Sequence, residues 1–392
     1  MVPPYDGAVK YVVCVPDGAS DHPVAELGGR TPLEAAVMPN LTALAARGEV
    51  GRAATIPPGM PAGSDVGNMS ILGYDPARYH TGRAPIEAAA LGIELAPDQV
   101  AYRCNLVRVD DGVMADFAGG HPTTAAAAEV VRALDAALGG AGISFHPGVQ
   151  YRHIMVAPRD LAEAECTPPH DLTGRPVAWP TGPAAPRLRE LMDASRAYVE
   201  SRLPAANQIW LWGQGGRPQL PAFRDTYGLD AGLVSAVDLV RGLGALTGVA
   251  IARPDGITGW YDTNYEAKRD ACLDALANGA DLFLIHVEAS DEAGHAGDIG
   301  AKVEALENWD RRILGPLVDA LDAQWPWRLL LLPDHPTPLA LRTHTSDPVP
   351  YLLVDSAGDG PGGVYSEAAT VACRPIAGHR LMPRLVGARA TG

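Results

Sequence analysis

The sequence predicts an α/β fold: a mostly parallel sheet with helices on both faces, interrupted by an inserted α+β cap. Three observations carry this expectation. Short apolar runs alternate with stretches of helical period near both ends of the chain. Two of those runs stop at the same punctuation, Pro16-Asp17-Gly18 and Pro333-Asp334. Between about residues 100 and 221 the rhythm changes, and the segments are separated by Pro- and Gly-rich stretches.

Tyr11–Val15 reads as a buried strand ended by the turn at Pro16. Pro39-Asn40 opens a helix through Leu41, Leu44 and Ala45, closed by Gly48. Thr55–Gly63 is a loop by its Pro and Gly content, and a helix is expected from Ser64 or Asp65. Later, Leu282–Val287 reads as a strand followed by an acidic, Gly-containing loop. Val303–Leu321 is helical by period, Arg328–Leu332 is a strand, and Pro350–Val354 is a further strand. In such sheets ligands bind beyond the carboxyl ends of the strands, and three of those ends carry Asp or His. In the middle, Tyr102–Asp116 and Gly148–Ala157 read as strands, and Thr123–Leu138 and Pro186–Leu203 as helices. Gln208–Trp212 fits a strand of either part. The expected division is a core of residues 1–99 and 222–392 around a cap of residues 100–221.

Composition narrows the function. The chain has 392 residues and a net charge of −15, without a Lys/Arg-rich run. So acidic a surface disfavours nucleic acid and anionic membrane as partners. No window approaches the roughly 18 apolar residues of a membrane span. Met1–Lys10 lacks the pattern of a leader. Cys14, Cys104, Cys166, Cys272 and Cys373 are scattered, with no CxxC pair. Reduced thiols and a cytoplasmic location are expected. A homo-oligomer is left open.

The chemistry-bearing residues lie at the strand ends. Asp291 and His295 are four apart, Asp334-His335 ends a strand, and His344 follows nine residues on. Taken singly, such an Asp is more often a turn or cap residue, and such a His a hydrogen-bonded core residue. Together with Asp17 they make three carboxylates and three imidazoles, enough for two metals with open positions. This ligand mix suits Mn²⁺ first, with Zn²⁺ and Co²⁺ also compatible. Ser64, after a Pro/Gly loop and before a helix, reads by itself as a helix N-cap. A serine nucleophile in that place would need a base or metal to activate it, and helix amides would receive a phosphate.

The chain resembles the archaeal-type, cofactor-independent phosphoglycerate mutases of the alkaline phosphatase superfamily. The resemblance rests on Pro16-Asp17-Gly18, Pro39-Asn40-Leu41, Gly63-Ser64-Asp65-Val66, Ile71-Leu-Gly-Tyr-Asp-Pro76 and Thr81-Gly-Arg-Ala-Pro85. It continues through Asp262-Thr-Asn-Tyr-Glu266, Asp291-Glu-Ala-Gly-His295, Asp334-His-Pro-Thr-Pro338 and Arg342-Thr-His-Thr-Ser-Asp-Pro-Val-Pro350. It implies an alkaline-phosphatase-like core, a two-metal site and a phosphoserine intermediate on Ser64. Asp17, Ser64, Asp334 and His335 would surround one metal. Asp291, His295 and His344 would hold the other. The implied substrate is a small phosphorylated acid, 3-phosphoglycerate, with a cap that excludes water.

Substrate-side candidates are His121, Arg152 and Arg217, then Arg103, His153 and Lys268, with His170-Asp171 behind them. Arginine offers a planar fork for carboxylate or phosphate. His286 reads as structural, and Tyr74-Asp75 with Arg83 as supports for the loop after Ser64. Asn68 departs from many members of the family. Ala101–Leu106 and Asp116–His121 look most similar to a bacterial subgroup proposed to phosphorylate other acceptors, homoserine among them. A related phospho- or phosphonyl-transferase, or a metal-dependent phosphatase, is therefore the alternative to mutase activity.

Overall fold

A computed structural model describes residues 8–387. Most of the N-terminal segment read for a leader, Met1–Gly7, lies outside the described residues. The chain divides into two compact units, one formed by the chain up to His80 and from Leu220 onward, the other by Thr81–Gln219. In chain order the strands are β1 (Lys10–Pro16), β2 (Glu49–Ala54), β3 (Gln99–Asp110), β4 (Val113–Asp116), β5 (Ser144–His146), β6 (Arg152–Pro158) and β7 (Gln208–Gly215). They continue with β8 (Ala231–Val234), β9 (Ala250–Ala252), β10 (Leu282–Val287), β11 (Trp327–Leu331), β12 (Val349–Asp355) and β13 (Ile376–Ala377).

The first unit is built on a sheet of order β13-β2-β12-β11-β1-β10-β8-β9. From β11 to β9 neighbouring strands are parallel, and β12 runs antiparallel to β11 and β2. The continuous apolar runs of β1 and β10 follow from this position, because a central parallel strand is covered on both faces. Val12, Ile285, Leu329 and Leu331 join helix residues Tyr265, Leu306, Ile313 and Leu317 in its core.

Helix boundaries follow local chemistry. Asn264 and Asp298 cap the helices Tyr265–Ala277 and Ile299–Trp309 through side-chain oxygens. The expected helix over Val303–Leu321 is α-helical at both ends, with a π turn at Asp310–Leu314. The buried Asp310 carboxylate there accepts from the amides of Asn40 and Leu41. It thereby caps the helix Pro39–Ala45, which has no side-chain cap of its own. Among the described residues no helix is long and apolar enough to cross a membrane.

The second unit is an antiparallel sheet of order β4-β3-β6-β5, with β7 also on β3. Its core gathers Tyr102, Leu106, Met155 and Trp210 with Val130, Leu134 and Leu188 from two 15-residue helices, Thr124–Leu138 and Ala185–Val199. The single strand expected over Tyr102–Asp116 is a hairpin of β3 and β4, turned at Asp111-Gly112 with positive φ at both. Gln208–Trp212 belongs to this unit, as part of β7. The unit begins at Thr81 rather than Val100. The reason is the helix Arg83–Ala90, whose Ala84 and Ala88 pack on Ala101, Ile154 and Val156. The Thr81 hydroxyl donates to Gly216 O (2.6 Å), holding the entering and leaving chains side by side.

Candidate metal centre and nucleophile

The site residues gather at the carboxyl ends of β1, β10 and β11. Asp17 follows β1, and its amide donates to Val287 O at the end of β10 (2.9 Å). Gly18 is left-handed, at φ 60°, and its amide donates to Asp334 Oδ1 (3.3 Å). A Cβ there would stand 2.5 Å from Asp291 Oδ1, so the turn requires glycine.

Asp291 and His295 lie on a helix, Ala289–Ala296, where the sequence suggested a loop. Their spacing of four puts both on one face. The Oδ2 of Asp291 is 3.3 Å from His295 Nε2, and its Oδ1 is 3.3 Å from His344 Nε2. The two imidazole nitrogens face one another at 2.9 Å. His295 Nδ1 lies 3.1 Å from Arg342 O, to which its N–H donates, leaving Nε2 for Asp291, His344 or a cation. Burial pulls the His295 pKa down, but Asp291 outweighs it and raises it to about 9.

Ser64 is the first residue of the helix Ser64–Ile71, after Gly63. Its hydroxyl makes no cap hydrogen bond and lies 3.2 Å from His335 Nε2. The N-cap reading of Ser64 is thus replaced: Gly63 is the N-cap, and the Ser64 hydroxyl faces His335. Asn68, one turn on, donates to Asp334 Oδ2 (2.8 Å) and to Ser64 O (3.0 Å). His335 Nε2 is 3.6 Å from Asp17 Oδ1 and 3.5 Å from Asp334 Oδ2. Burial lowers its pKa to about 4, so the imidazole is neutral.

Three groups among the described residues converge closely enough to hold a metal ion: Asp291, His295 and His344; Asp17, Asp291 and His335; and Asp17, His286 and Asp334. The donors fit divalent cations in charge as well as type. Asp17 is 2% exposed and Asp334 fully buried, and Asp17 Oδ1 has no hydrogen-bond partner. Burial, then the charges of Asp334 and Asp291, raise the Asp17 pKa well above the usual carboxylate range. Such a cluster is costly without a counter-charge, and bound cations supply it. Asp17, Asp291, His295, Asp334, His335, His344 and Ser64 are brought together at this end of the sheet.

His286, read as structural, is also there. Its Nε2 is 3.4 Å from Asp17 Oδ2 and 3.9 Å from Asp334 Oδ2. Sequence spacing gave no reason to single it out, since it sits inside an apolar strand. Its place at the carboxyl end of β10, one strand position before the Asp291 segment, was the available signal.

Three substrate candidates have internal partners instead. Lys268 is completely buried, ion-paired with Glu288, and donates to His286 O (2.9 Å). Arg103 is 4% exposed, with Nε 3.0 Å from Glu87 Oε2 and its guanidinium 4.6 Å from the Trp212 ring. His153 is buried, and its Nδ1 accepts from the Gly148 amide (3.0 Å). Burial lowers its pKa to about 3. The others are exposed on the second unit. Arg152 stands 5.6 Å over the Tyr151 ring, and His121, at φ 50°, meets the same ring edge-on at 5.4 Å. Arg217 is exposed, as is His170, which packs 5.4 Å from Trp212.

Residues 45–202 match the family profile described as 2,3-bisphosphoglycerate-independent phosphoglycerate mutase. The enzyme of that name from Methanothrix thermoacetophila is 46% identical, covering 89% of this chain and 91% of the relative. A probable enzyme of the same name from Geobacter sulfurreducens is 43% identical over 96% of this chain and 100% of the relative. Among solved structures, the PH0037 protein of Pyrococcus horikoshii superposes with TM-score 0.81 at 26% identity, covering 98% and 99% of the two chains. A cofactor-independent phosphoglycerate mutase from Thermoplasma acidophilum gives TM-score 0.64 at 26% identity, over 97% and 100%. With 46% identity along nine-tenths of its length, the chain belongs to the 2,3-bisphosphoglycerate-independent phosphoglycerate mutases.

Proposed function

We propose that this chain interconverts 3-phosphoglycerate and 2-phosphoglycerate through a phosphoserine on Ser64. The observation that carries the reading is the placement of the Ser64 hydroxyl, 3.2 Å from His335 and at the start of a helix. Asp17, Ser64, Asp334 and His335 would hold one divalent ion, and Asp291, His295 and His344 a second, with Mn²⁺ the expected metal. When bound, the ions neutralise phosphoryl oxygens and favour the serine alkoxide.

Ser64 attacks phosphorus in line, and the bond from phosphorus to the 3-oxygen of glycerate breaks. The helix that starts at Ser64 presents its first amides to the phosphoryl oxygens. Asn68 fixes both the Ser64 carbonyl and Asp334, so the nucleophile and its neighbours hold one geometry. The glycerate reorients and its 2-hydroxyl attacks the phosphoserine, returning the serine. We assign binding of the glycerate carboxylate to the second unit as a substrate cap, through Arg152, His121 and Arg217. A cytoplasmic site of action accords with five cysteines that form no disulfide.

An enolase-coupled assay tests this reading. It should show turnover of 3-phosphoglycerate without 2,3-bisphosphoglycerate, lost with chelator and restored by Mn²⁺. Inactivity with Mn²⁺, Zn²⁺ and Co²⁺ would contradict it. Release of inorganic phosphate in place of isomerisation would mark a phosphatase, and phosphorylation of another acid a transferase.

A further inference from the structure

We infer that His286 is an additional metal ligand, binding through Nε2 the ion held by Asp17 and Asp334, and that Glu288 and Lys268 form the buried layer that aims it. The inference extends the metal-dependent reading of this site and rests on it.

The ring is fixed by what surrounds its other nitrogen. His286 Nδ1 is 3.2 Å from Ser235 Oγ and 3.3 Å from Glu288 Oε1. Ser235 donates its own proton to Glu288 Oε1 (2.9 Å), so its oxygen is free to accept. The Ala236 amide also donates to that carboxylate oxygen (2.6 Å). Every partner of Nδ1 is therefore an acceptor, and Nδ1 carries the hydrogen. In the neutral imidazole the lone pair then belongs to Nε2.

Nε2 has no donor to receive. It faces Asp17 Oδ2 at 3.4 Å and Asp334 Oδ2 at 3.9 Å, both acceptors when ionised. Its third neighbour, Asn68 Nδ2 at 3.5 Å, directs hydrogens to Ser64 O and Asp334 Oδ2. A lone pair aimed at two carboxylate oxygens in a fully buried site is repulsive unless a proton or a cation lies between them, and a divalent ion satisfies all three groups at once. Ligands about 2.1 Å from a common ion stand roughly 3.0–3.5 Å apart at tetrahedral to octahedral angles. The 3.4 Å separation falls in that range, and 3.9 Å needs only a small inward movement.

The second layer has the composition such a ligand needs. A metal-bound imidazole commonly donates its other N–H to a carboxylate, which fixes the ring and raises its basicity. Glu288 is that carboxylate, and Lys268 is its buried counter-ion. Asp17 thus presents one oxygen toward His335 and the other toward His286, standing between two imidazoles.

The test counts imidazole ligands in the intact protein. In ¹⁵N-histidine-labelled wild type loaded with Zn²⁺, NMR should show four coordinated imidazoles, from His286, His295, His335 and His344. Assignment is made by the loss of one signal in His286→Gln. Titration calorimetry with Zn²⁺ should show one ion bound at least about 100-fold more weakly in His286→Gln, and about 10- to 100-fold more weakly in Glu288→Gln. The wild-type count does not depend on either variant folding. Three coordinated imidazoles, with His286 resonances unmoved by Zn²⁺, would overturn the inference and leave the proposed function standing. A chain that binds no divalent metal would overturn both.

Discussion

Lys268 and Glu288 form an ion pair with the ammonium side chain fully buried and the carboxylate side chain 2% exposed. Burial alone would raise the Glu288 pKa, but Lys268 and then His286 outweigh it and hold the group ionised. Removing one partner of such a pair leaves an unpaired buried charge, at a cost of about 3–5 kcal/mol. Lys268→Met should lower the unfolding free energy by that amount in urea. The double variant Lys268→Met/Glu288→Gln should recover part of it. Wild-type stability with a raised KM would instead restore Lys268 as a substrate ligand.

Gly18→Ala should damage the site through the backbone. The position has φ 60°, and the new methyl would meet both the Asp291 carboxylate oxygen and, at 2.8 Å, its Cα. A strained left-handed alanine alone costs about 1–3 kcal/mol. We expect that loss in thermal melts, together with weaker metal binding by calorimetry. Gly92→Ala, at φ 74° with open space around it, is the control. It should lose stability from backbone strain but retain metal affinity.

Metal stabilisation should grow with pH. Without metal, the raised pKa of His295 favours the folded state fully below about 6.5 and loses that contribution as pH rises through about 9. Metal binding needs the neutral imidazole, so each ion displaces a proton over the same window. The difference in Tm between Mn²⁺-loaded and chelated protein should therefore widen from pH 6.5 to pH 9. A difference that stays constant or narrows would contradict the assignment of His295 as a ligand.

Arg152→Ala should raise KM for 3-phosphoglycerate about 10-fold, as expected for loss of one charge-assisted contact. Metal affinity and melting temperature should stay at wild-type values, because the Arg152 side chain is exposed and lies over the Tyr151 ring in its own unit. Unchanged steady-state kinetics would remove Arg152 from the substrate site.

The parts of the site legible in the sequence were those with a repeated local signature. Asp17 and Asp334 follow apolar strands and a proline, so strand ends could be read and their residues grouped. Asp291 and His295 were found by spacing, although Gly294 disguised their helix as a loop. That glycine meets a packing need, since a Cβ there would stand 2.5 Å from Thr337 O. Ser64 was ambiguous because a cap and a nucleophile share the same local sequence, and its contact with His335, 271 residues away, is invisible to local pattern. His286, Glu288 and Lys268 depend on contacts between β10 and a helix whose apolar period is weak, and no local pattern encodes such a pairing. The burial of Arg103 and His153 was not legible for a related reason, since burial of a polar strand residue shows only in three dimensions.

The direct test of the account is the covalent state of Ser64 during turnover. Enzyme mixed with 3-phosphoglycerate and Mn²⁺, quenched in acid and mapped by mass spectrometry, should carry one phosphoryl group on the peptide containing Ser64. Ser64→Ala should be unlabelled and lose nearly all activity, at least about 1,000-fold. Turnover that proceeds with Ser64 unmodified, or with the phosphoryl group on another residue, would contradict it.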